Sequence, residues 1–242
     1  MDAESQENHL KAYGITYWVL SKQQKVQWLL NYRGGSFLLP DGEAIRKECQ
    51  IRGVSFEVLS DGQAAGILDD ISSPSQNQDA VILEKAPKIA VYSPKGNQPW
   101  DDAVTMALKY AEVPYKTIWD KEVLKGDLNK YDWLHLHHED FTGQYSKFYS
   151  YHRMPWYQQR QATAEALARE LGFPTVAEEK KAVARTIRSY VSNGGFLFAM
   201  CAATETLEVA LAAQNTDIVA PEYDHTALDP NAQTKLDYSQ TF

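Results

Sequence analysis

The sequence predicts an α/β protein whose larger part is built around a parallel β-sheet. From about residue 87 onward, short apolar segments alternate with amphipathic ones, as is typical of parallel strands connected by covering helices. Hydrophobic residues make up 44% of the 242 residues and charged residues 23%, which are the values of an ordinary globular protein. This length is sufficient to bury a core, in one large domain or two small ones.

A smaller α/β unit is predicted over residues 1–80. Apolar residues recur at helical spacing in three of its segments, and Gly53 ends the second of them. The predicted helices span residues 9–22, 43–52 and 63–71, and the predicted strands span residues 26–32 and 54–59. The polar, turn-rich residues 72–78 are the predicted linker to the second unit, residues 81–242.

The second unit alternates strands and helices more regularly. The predicted strands span residues 88–92, 115–119, 133–138, 196–200 and 218–220. Two helices are predicted to start after Asp101-Asp102 and at Asp120, and three more to span residues 158–171, 175–191 and 204–213. Thr175 with Glu178 matches a capping box, and Gly194-Gly195 ends the helix that follows. Right-handed crossovers place functional loops at the carboxyl ends of such strands.

Charge and hydropathy exclude several classes of partner. Acidic residues outnumber basic ones by 32 to 24, so nucleic-acid binding is disfavoured. No apolar run reaches the roughly 18 residues of a membrane span. The chain also lacks a basic-then-apolar leader, so we expect export if a signal precedes residue 1 and a cytoplasmic location otherwise. Two cysteines cannot form a disulfide framework or a four-sulfur metal site.

Cys201 is the strongest candidate for a catalytic residue. It follows the apolar residues 196–200 and precedes a predicted helix, with Ala199 and Ala203 two positions before and after it. A nucleophile on a tight strand-to-helix turn needs small residues at those positions, and a helix start favours the thiolate form of cysteine. We therefore predict a strained backbone at Cys201; the alternative is a buried cysteine that packs as a small hydrophobic residue.

This order of helix, paired glycines, apolar strand and cysteine resembles class I glutamine amidotransferase-like domains. The segments HLKAYGITYWVL, LLNYRGGSFLL, KIAVYSPKG, YDWLHLHHEDFTGQY and GGFLFAMC further resemble exported Bacteroidetes-type proteins often labelled asparagine synthetase B. The resemblance covers nearly the whole chain. It implies a flavodoxin-like parallel sheet and a chain that continues past Phe242. It also implies a cysteine-dependent amidohydrolase or amidotransferase that acts on a small-molecule or amide substrate and needs no cofactor.

The resemblance also implies roles for individual residues. Cys201 would be the nucleophile, and the backbone amides of Ala202 and Gly143 would bind the oxyanion. The downstream His-x-Glu pair of the family has no match, because His225 is the one histidine after Cys201 and lacks that spacing. Either the base follows Phe242, or another histidine serves, or the domain is a catalytically inactive ligand-binding module of an exported assembly. The chain by itself is accordingly expected to lack glutaminase activity.

A polar cluster at the end of the third predicted strand of the second unit supplies other candidates. Its members are His135, His137, His138, Glu139 and Asp140. Strand alternation predicts His135 and His137 on one face and His138 on the other. His137 or His138 would be the base near Cys201, with Glu139 in the binding site. The alternatives are polar caps of the strand end or a metal site completed by His152 or His225.

Seven aromatic residues lie between residues 141 and 157, interleaved with histidine, lysine and arginine. They are Phe141, Tyr145, Phe148, Tyr149, Tyr151, Trp156 and Tyr157. Such a segment favours either a lid packed on the core or a surface that stacks a sugar or base.

Overall fold

The computed structural model of the chain describes residues 6–94, 103–144 and 146–242, the last range without the side chains of residues 146 and 147. It contains two compact units. Residues 6–87 with 103–114 form unit 1, and residues 88–94 with 115–144 and 146–242 form unit 2. The boundary predicted between residues 80 and 81 falls inside a strand of unit 1. The helix cap predicted at Asp101-Asp102 lies outside the described residues.

Unit 1 contains a three-stranded antiparallel sheet and helices that match the predicted ones. The strands are β1 (Val26–Leu30), β2 (Ser36–Leu38) and β3 (Asp79–Leu83), in the order β2-β1-β3, and the helices are α1 (His9–Ser21), α2 (Glu43–Arg52), α3 (Asp61–Ile71) and α4 (Ala103–Ala111). The parallel sheet suggested by strand–helix alternation is therefore restricted to unit 2. Residues 72–78 are a connection within unit 1, because β3 returns to pair with β1.

The strand predicted at residues 54–59 is absent from unit 1 as described. Its alternation does not mark a buried face, because Phe56 and Val58 are exposed. The backbone after it starts α3 instead: the Ser60 hydroxyl accepts a hydrogen bond from Gln63 N, and the Gln63 carboxamide accepts one from Ser60 N. This capping box fixes the chain for a helix rather than for a strand ladder.

Helices α1 and α4 of unit 1 approach closely at Gly14. A Cβ atom at Gly14 would lie 1.8 Å from the carbonyl oxygen of Ala111. We expect Gly14→Ala to lower the free energy of unfolding by about 1–3 kcal/mol, because the two backbones must separate. Gly66→Ala in α3 is the matched control: it meets open space and should raise stability by about 0.5–1 kcal/mol. Urea unfolding measures both, and changes of the same sign would contradict this account.

Unit 2 is built on a four-stranded, all-parallel sheet. Its strands are β4 (Ile89–Tyr92), β5 (Tyr115–Ile118), β6 (Trp133–Leu136) and β7 (Phe196–Ala199), and its helices are α5 (Asp120–Leu124), α6 (Pro155–Glu170), α7 (Val176–Ser192), α8 (Ala202–Ala212), α9 (Pro221–Asp224) and α10 (Ala232–Lys235). The sheet order is β5-β4-β6-β7, and every neighbouring pair is parallel. Counted along the chain this is 2-1-3-4, which agrees with the flavodoxin-like order. The predicted α/β class and parallel sheet are thus confirmed.

Two strand predictions in unit 2 differ from the structure. Residues 218–220 form no strand, because the Asp217 carboxylate accepts a hydrogen bond from Val219 N and turns the chain. The fully apolar sequence of residues 196–200 predicts a buried strand, but β7 is the outermost strand of the described sheet, with Phe196 59% and Phe198 41% exposed. Only its alternate residues, Leu197 and Ala199, pack against the core.

The core of unit 2 lies between one face of the sheet and helices α5, α7 and α8. Ala90 and Tyr92 of β4 and Leu134 and Leu136 of β6 face this layer. Helix α7 contributes Val183, Ala184, Ile187 and Tyr190 to this layer. Thr175 caps the helix by accepting a hydrogen bond from Glu178 N at 3.2 Å. None of the helices described combines the length and apolar character that a membrane span requires.

Candidate functional site

Cys201 occupies a strained turn between β7 and α8. Its backbone has φ 53° and ψ −137°, a combination that residues with a Cβ atom rarely adopt. Ala199 packs on the core and Ala203 is completely buried, so the small residues on both sides allow the strand and helix to approach. The predicted strained turn is confirmed, and the Cys201 thiol is exposed to solvent rather than packed as a hydrophobic residue.

The start of α8 provides polar groups beside the thiol. The first amide groups of a helix have no acceptor within the helix, so the Ala202 N–H can donate to a ligand. The Ala203 N–H donates instead to the carbonyl oxygen of His137 at 3.2 Å. The helix dipole adds partial positive charge at this end of α8. An anion that forms next to Cys201 would therefore be stabilised.

His137 and Cys201 lie at neighbouring strand ends. Strands β6 and β7 pair with Leu136 opposite Ala199, and Met200 N donates to Leu136 O at 3.0 Å. Together with the bond from Ala203 N to His137 O, these contacts bring the segment after β6 beside the Cys201 turn. The structure thus brings together the two segments in which the sequence places a nucleophile and a base.

The histidine rings are arranged differently from the prediction. His138 was expected on the face opposite His137, but β6 ends at Leu136, so strand alternation does not extend to either residue. Their rings are adjacent, with the two Nδ1 atoms 3.0 Å apart. His135 is fully buried, and its ring stacks on His137 at 6.2 Å and on Phe198 at 5.8 Å.

The carboxylates after the histidines hold the loop. The Glu139 carboxylate accepts a hydrogen bond from His137 N at 3.0 Å, and its backbone carbonyl accepts one from the Thr206 hydroxyl of α8. Asp140 accepts hydrogen bonds from the N–H and hydroxyl of Thr142 at 2.7 and 2.5 Å. Both carboxylates act as caps at the strand end, and Glu139 fixes the backbone that carries the histidine pair.

Gly143 lies against α7. It has φ 75°, and a Cβ atom there would be 2.8 Å from the backbone nitrogen of Ala177. Gly143 also lines a cavity of about 120 Å³ between α6, α7 and α9, whose other residues include His225 and Arg169 but not Cys201. The structure therefore groups Gly143 with His225 rather than with the thiol.

His152 and His225, the two histidines considered for completing a metal site, do not join the histidines after β6 in a metal-binding group of described residues. His152 stacks on Tyr149 with ring centroids 4.8 Å apart, and His225 is exposed at the end of α9 with φ 63°. Within residues 6–94, 103–144 and 146–242, no three histidine, cysteine, aspartate or glutamate side chains form a metal-binding group.

A buried polar cluster at the carboxyl ends of β4 and β5 did not follow from the sequence. Lys180 of α7 donates to both Asp120 carboxylate oxygens at 2.8 and 2.7 Å and to the Tyr92 hydroxyl at 2.8 Å. Tyr92 also donates to Asp120, and Trp119 stacks on the Tyr92 ring at 4.3 Å. In the sequence, Asp120 directly after a predicted strand indicates only the start of a helix. Lys180, in the second turn of α7, has the pattern of a charge exposed to solvent.

Comparison with known proteins gives no family for this chain. No protein-family model matches it, and no curated protein and no solved structure is significantly similar to it.

Proposed function

We propose that the protein is a cysteine-dependent amidohydrolase of the class I glutamine amidotransferase-like kind, with Cys201 as the nucleophile. One observation carries the proposal: Cys201 holds φ 53° and ψ −137° at the junction of a parallel strand and a helix N-terminus. Such strain places a side chain at the carboxyl edge of the sheet, where ligands of open α/β folds bind. An exposed thiol there can reach the carbonyl of a substrate.

The proposed reaction is acyl transfer through a thioester. Cys201 Sγ attacks the carbonyl carbon of a side-chain amide while its proton passes to an imidazole nitrogen of His137. The carbonyl oxygen becomes an oxyanion and accepts the Ala202 N–H. The carbon–nitrogen bond then breaks, and the proton returns from His137 to the leaving ammonia. Water, deprotonated by His137, hydrolyses the thioester to a carboxylic acid and restores the thiol.

His138 is a positioning residue in this proposal. Its contact with His137 through the two Nδ1 atoms fixes the orientation of the His137 ring, and in this proposal His137 takes the thiol proton at Nε2. The Gly143 amide, expected as a second oxyanion donor, has less support because Gly143 packs on Ala177. The proposal therefore relies on Ala202.

Alkylation by iodoacetamide at pH 7 tests the proposed activation of the thiol. Cys49 is buried, and burial raises the pKa of its thiol, so we expect Cys201 to react at least about tenfold faster. Exposure alone would also favour Cys201, so the informative comparison is the Cys201 rate in His137→Gln. Removal of the base should slow it about tenfold, read by peptide mass spectrometry. Equal Cys201 rates in the two proteins would contradict activation by His137.

A ligand-binding module is the second candidate function, and the aromatic segment after β6 favours it. Tyr151, Met154 and Trp156 are about half exposed, and the Tyr151 and Trp156 rings lie 5.6 Å apart. Phe141 and Tyr157 are buried, so only part of the segment packs as a lid. Exposed rings of this kind can stack on a sugar. Quenching of tryptophan fluorescence by oligosaccharides, lost in Trp156→Ala, would support this function.

A further inference from the structure

We propose that Asp120 and Glu179 share one proton, and that this proton fixes the loop of residues 139–143 to the first turns of α7. The loop follows the histidine pair, but the inference does not depend on catalysis at Cys201. The buried polar cluster at the carboxyl ends of β4 and β5 thereby makes the conformation of this loop sensitive to pH.

The cluster holds more acid than its one lysine can neutralise. Asp120, Glu179 and Lys180 are 2%, 1% and 5% exposed. Lys180 is paired with Asp120 through both carboxylate oxygens, so its charge is already balanced. A second carboxylate in this buried space would have no counter-ion, and an unpaired buried charge is strongly unfavourable.

Glu179 is consequently the group that keeps the proton. Its Oε1 atom is buried and has no hydrogen-bond partner among the described residues. Burial, followed by the charge of the neighbouring Asp120, raises the pKa of Glu179 to about 8, and a hydrogen bond between the two carboxyl groups acts in the same direction. Lys180 opposes this shift but does not cancel it.

The other titratable groups that face the cluster come from β4 and from the loop after β6. Burial and the charge of Asp120 raise the pKa of the Tyr92 hydroxyl well above its ordinary value, so Tyr92 remains a donor. Glu139 of the loop also acts on Tyr92 through its negative charge. A negative charge on Glu179 would therefore be repelled by the carboxylates of Asp120 and Glu139.

Two contacts connect this cluster to the loop. The buried ring of Phe141 stacks on Tyr92, with centroids 5.2 Å apart and planes at 18°. Gly143 packs so closely on Ala177, in the same turn of α7 as Glu179, that a Cβ atom would lie 2.8 Å from the Ala177 nitrogen. If ionisation of Glu179 loosens the first turns of α7, both contacts weaken and the loop loses its support.

The direction of the pH effect follows from proton binding. Unfolded glutamate ionises near its ordinary pKa of 4.5, whereas the folded protein keeps the proton to about pH 8. Between those limits the folded state binds one more proton, so stability falls as the pH rises. The stability that this proton provides is fully present below pH 4.5 and is completely lost above about pH 8. Because one proton is released, the equilibrium constant for opening of the loop and the first turns of α7 rises about tenfold for each pH unit in this range.

Amide hydrogen exchange of the full chain at pH 6, 7, 8 and 9 tests the proposal, with each rate divided by that of the unfolded chain at the same pH. In the unmodified protein, protection of residues 139–144 and 176–183 should fall by about tenfold from pH 6 to 7 and level off above about pH 8. In Glu179→Gln, which keeps a carboxamide donor but has no proton to lose, protection of both segments should be independent of pH.

Two further proteins separate this effect from general alkaline destabilisation. Glu222→Gln changes an exposed glutamate of α9 and should behave like the unmodified protein. If Glu179→Gln does not fold, carbon-13 titration of the glutamate carboxyl groups in the unmodified protein should still show one group with a midpoint near 8. Its absence, or equal pH dependence in Glu179→Gln and the unmodified protein, would overturn the proposal. Loss of protection in residues 176–183 without residues 139–144 would overturn the link to the loop.

Discussion

Replacing Asp120 by alanine is expected to lower the free energy of unfolding by about 3–5 kcal/mol. The substitution leaves the Lys180 ammonium in a site where only 5% of the residue is exposed, without the two carboxylate oxygens that it contacts at 2.8 and 2.7 Å. The Tyr92 hydroxyl and the Trp119 ring, whose centroid is 4.0 Å from Lys180 Nζ, remain as partners, but neither carries a charge. Urea unfolding measures the loss.

The neighbouring pair Asp127 and Lys130 is the matched control. Lys130 donates to Asp127 at 2.6 Å, but its side chain is 67% exposed, so Asp127→Ala should change stability by no more than about 0.5 kcal/mol. Glu179 can partly replace Asp120 by losing its proton, and the double variant Asp120→Ala/Glu179→Gln should therefore be less stable than Asp120→Ala. Equal effects of Asp120→Ala and Asp127→Ala would show that the buried pair adds no stability.

Sequence patterns predicted the elements that local chemistry determines. The helix starting at Val176 follows from Thr175 and Glu178, and the turn at Cys201 follows from the alanines on both sides of it. Such features involve residues within a few positions of each other, where side-chain size and hydrogen-bonding groups restrict the backbone directly. The same reasoning applies to Gly53, whose φ of 66° ends α2.

Features that depend on distant partners could not be predicted in this way. Lys180 and Asp120 are 60 residues apart, and only the pairing of β4 with β5 and the packing of α7 bring them together. The outermost position of β7 likewise depends on the strand order. The apolar sequence of β7 therefore did not indicate that Phe196 and Phe198 are exposed. The alternation used to predict the side of His138 does not apply to it, because strand β6 ends one residue before His137.

The candidate site predicts that ammonia is released from glutamine, and that release stops when the thiol is removed. The resemblance alone led to the opposite expectation, since its downstream histidine has no match. The proposed base is instead His137, one of the two histidines that the sequence offered as an alternative, and its backbone lies beside the Cys201 turn. We therefore expect Cys201→Ala to lower the rate by at least about 10³-fold, because nucleophile and base act as one unit.

Non-additivity distinguishes this mechanism from a general loss of structure. His137→Gln should lower the rate by at least about 10²-fold, and the double variant Cys201→Ala/His137→Gln should be no slower than Cys201→Ala, because a base has no function without the thiol. His138→Asn should retain part of the rate and move the acidic limb of the pH–rate profile, since His138 acts through His137. Turnover that is unchanged in Cys201→Ala would exclude the thiol as nucleophile. No turnover in any of these proteins, with Cys201 alkylation insensitive to His137→Gln, would exclude His137 as the base.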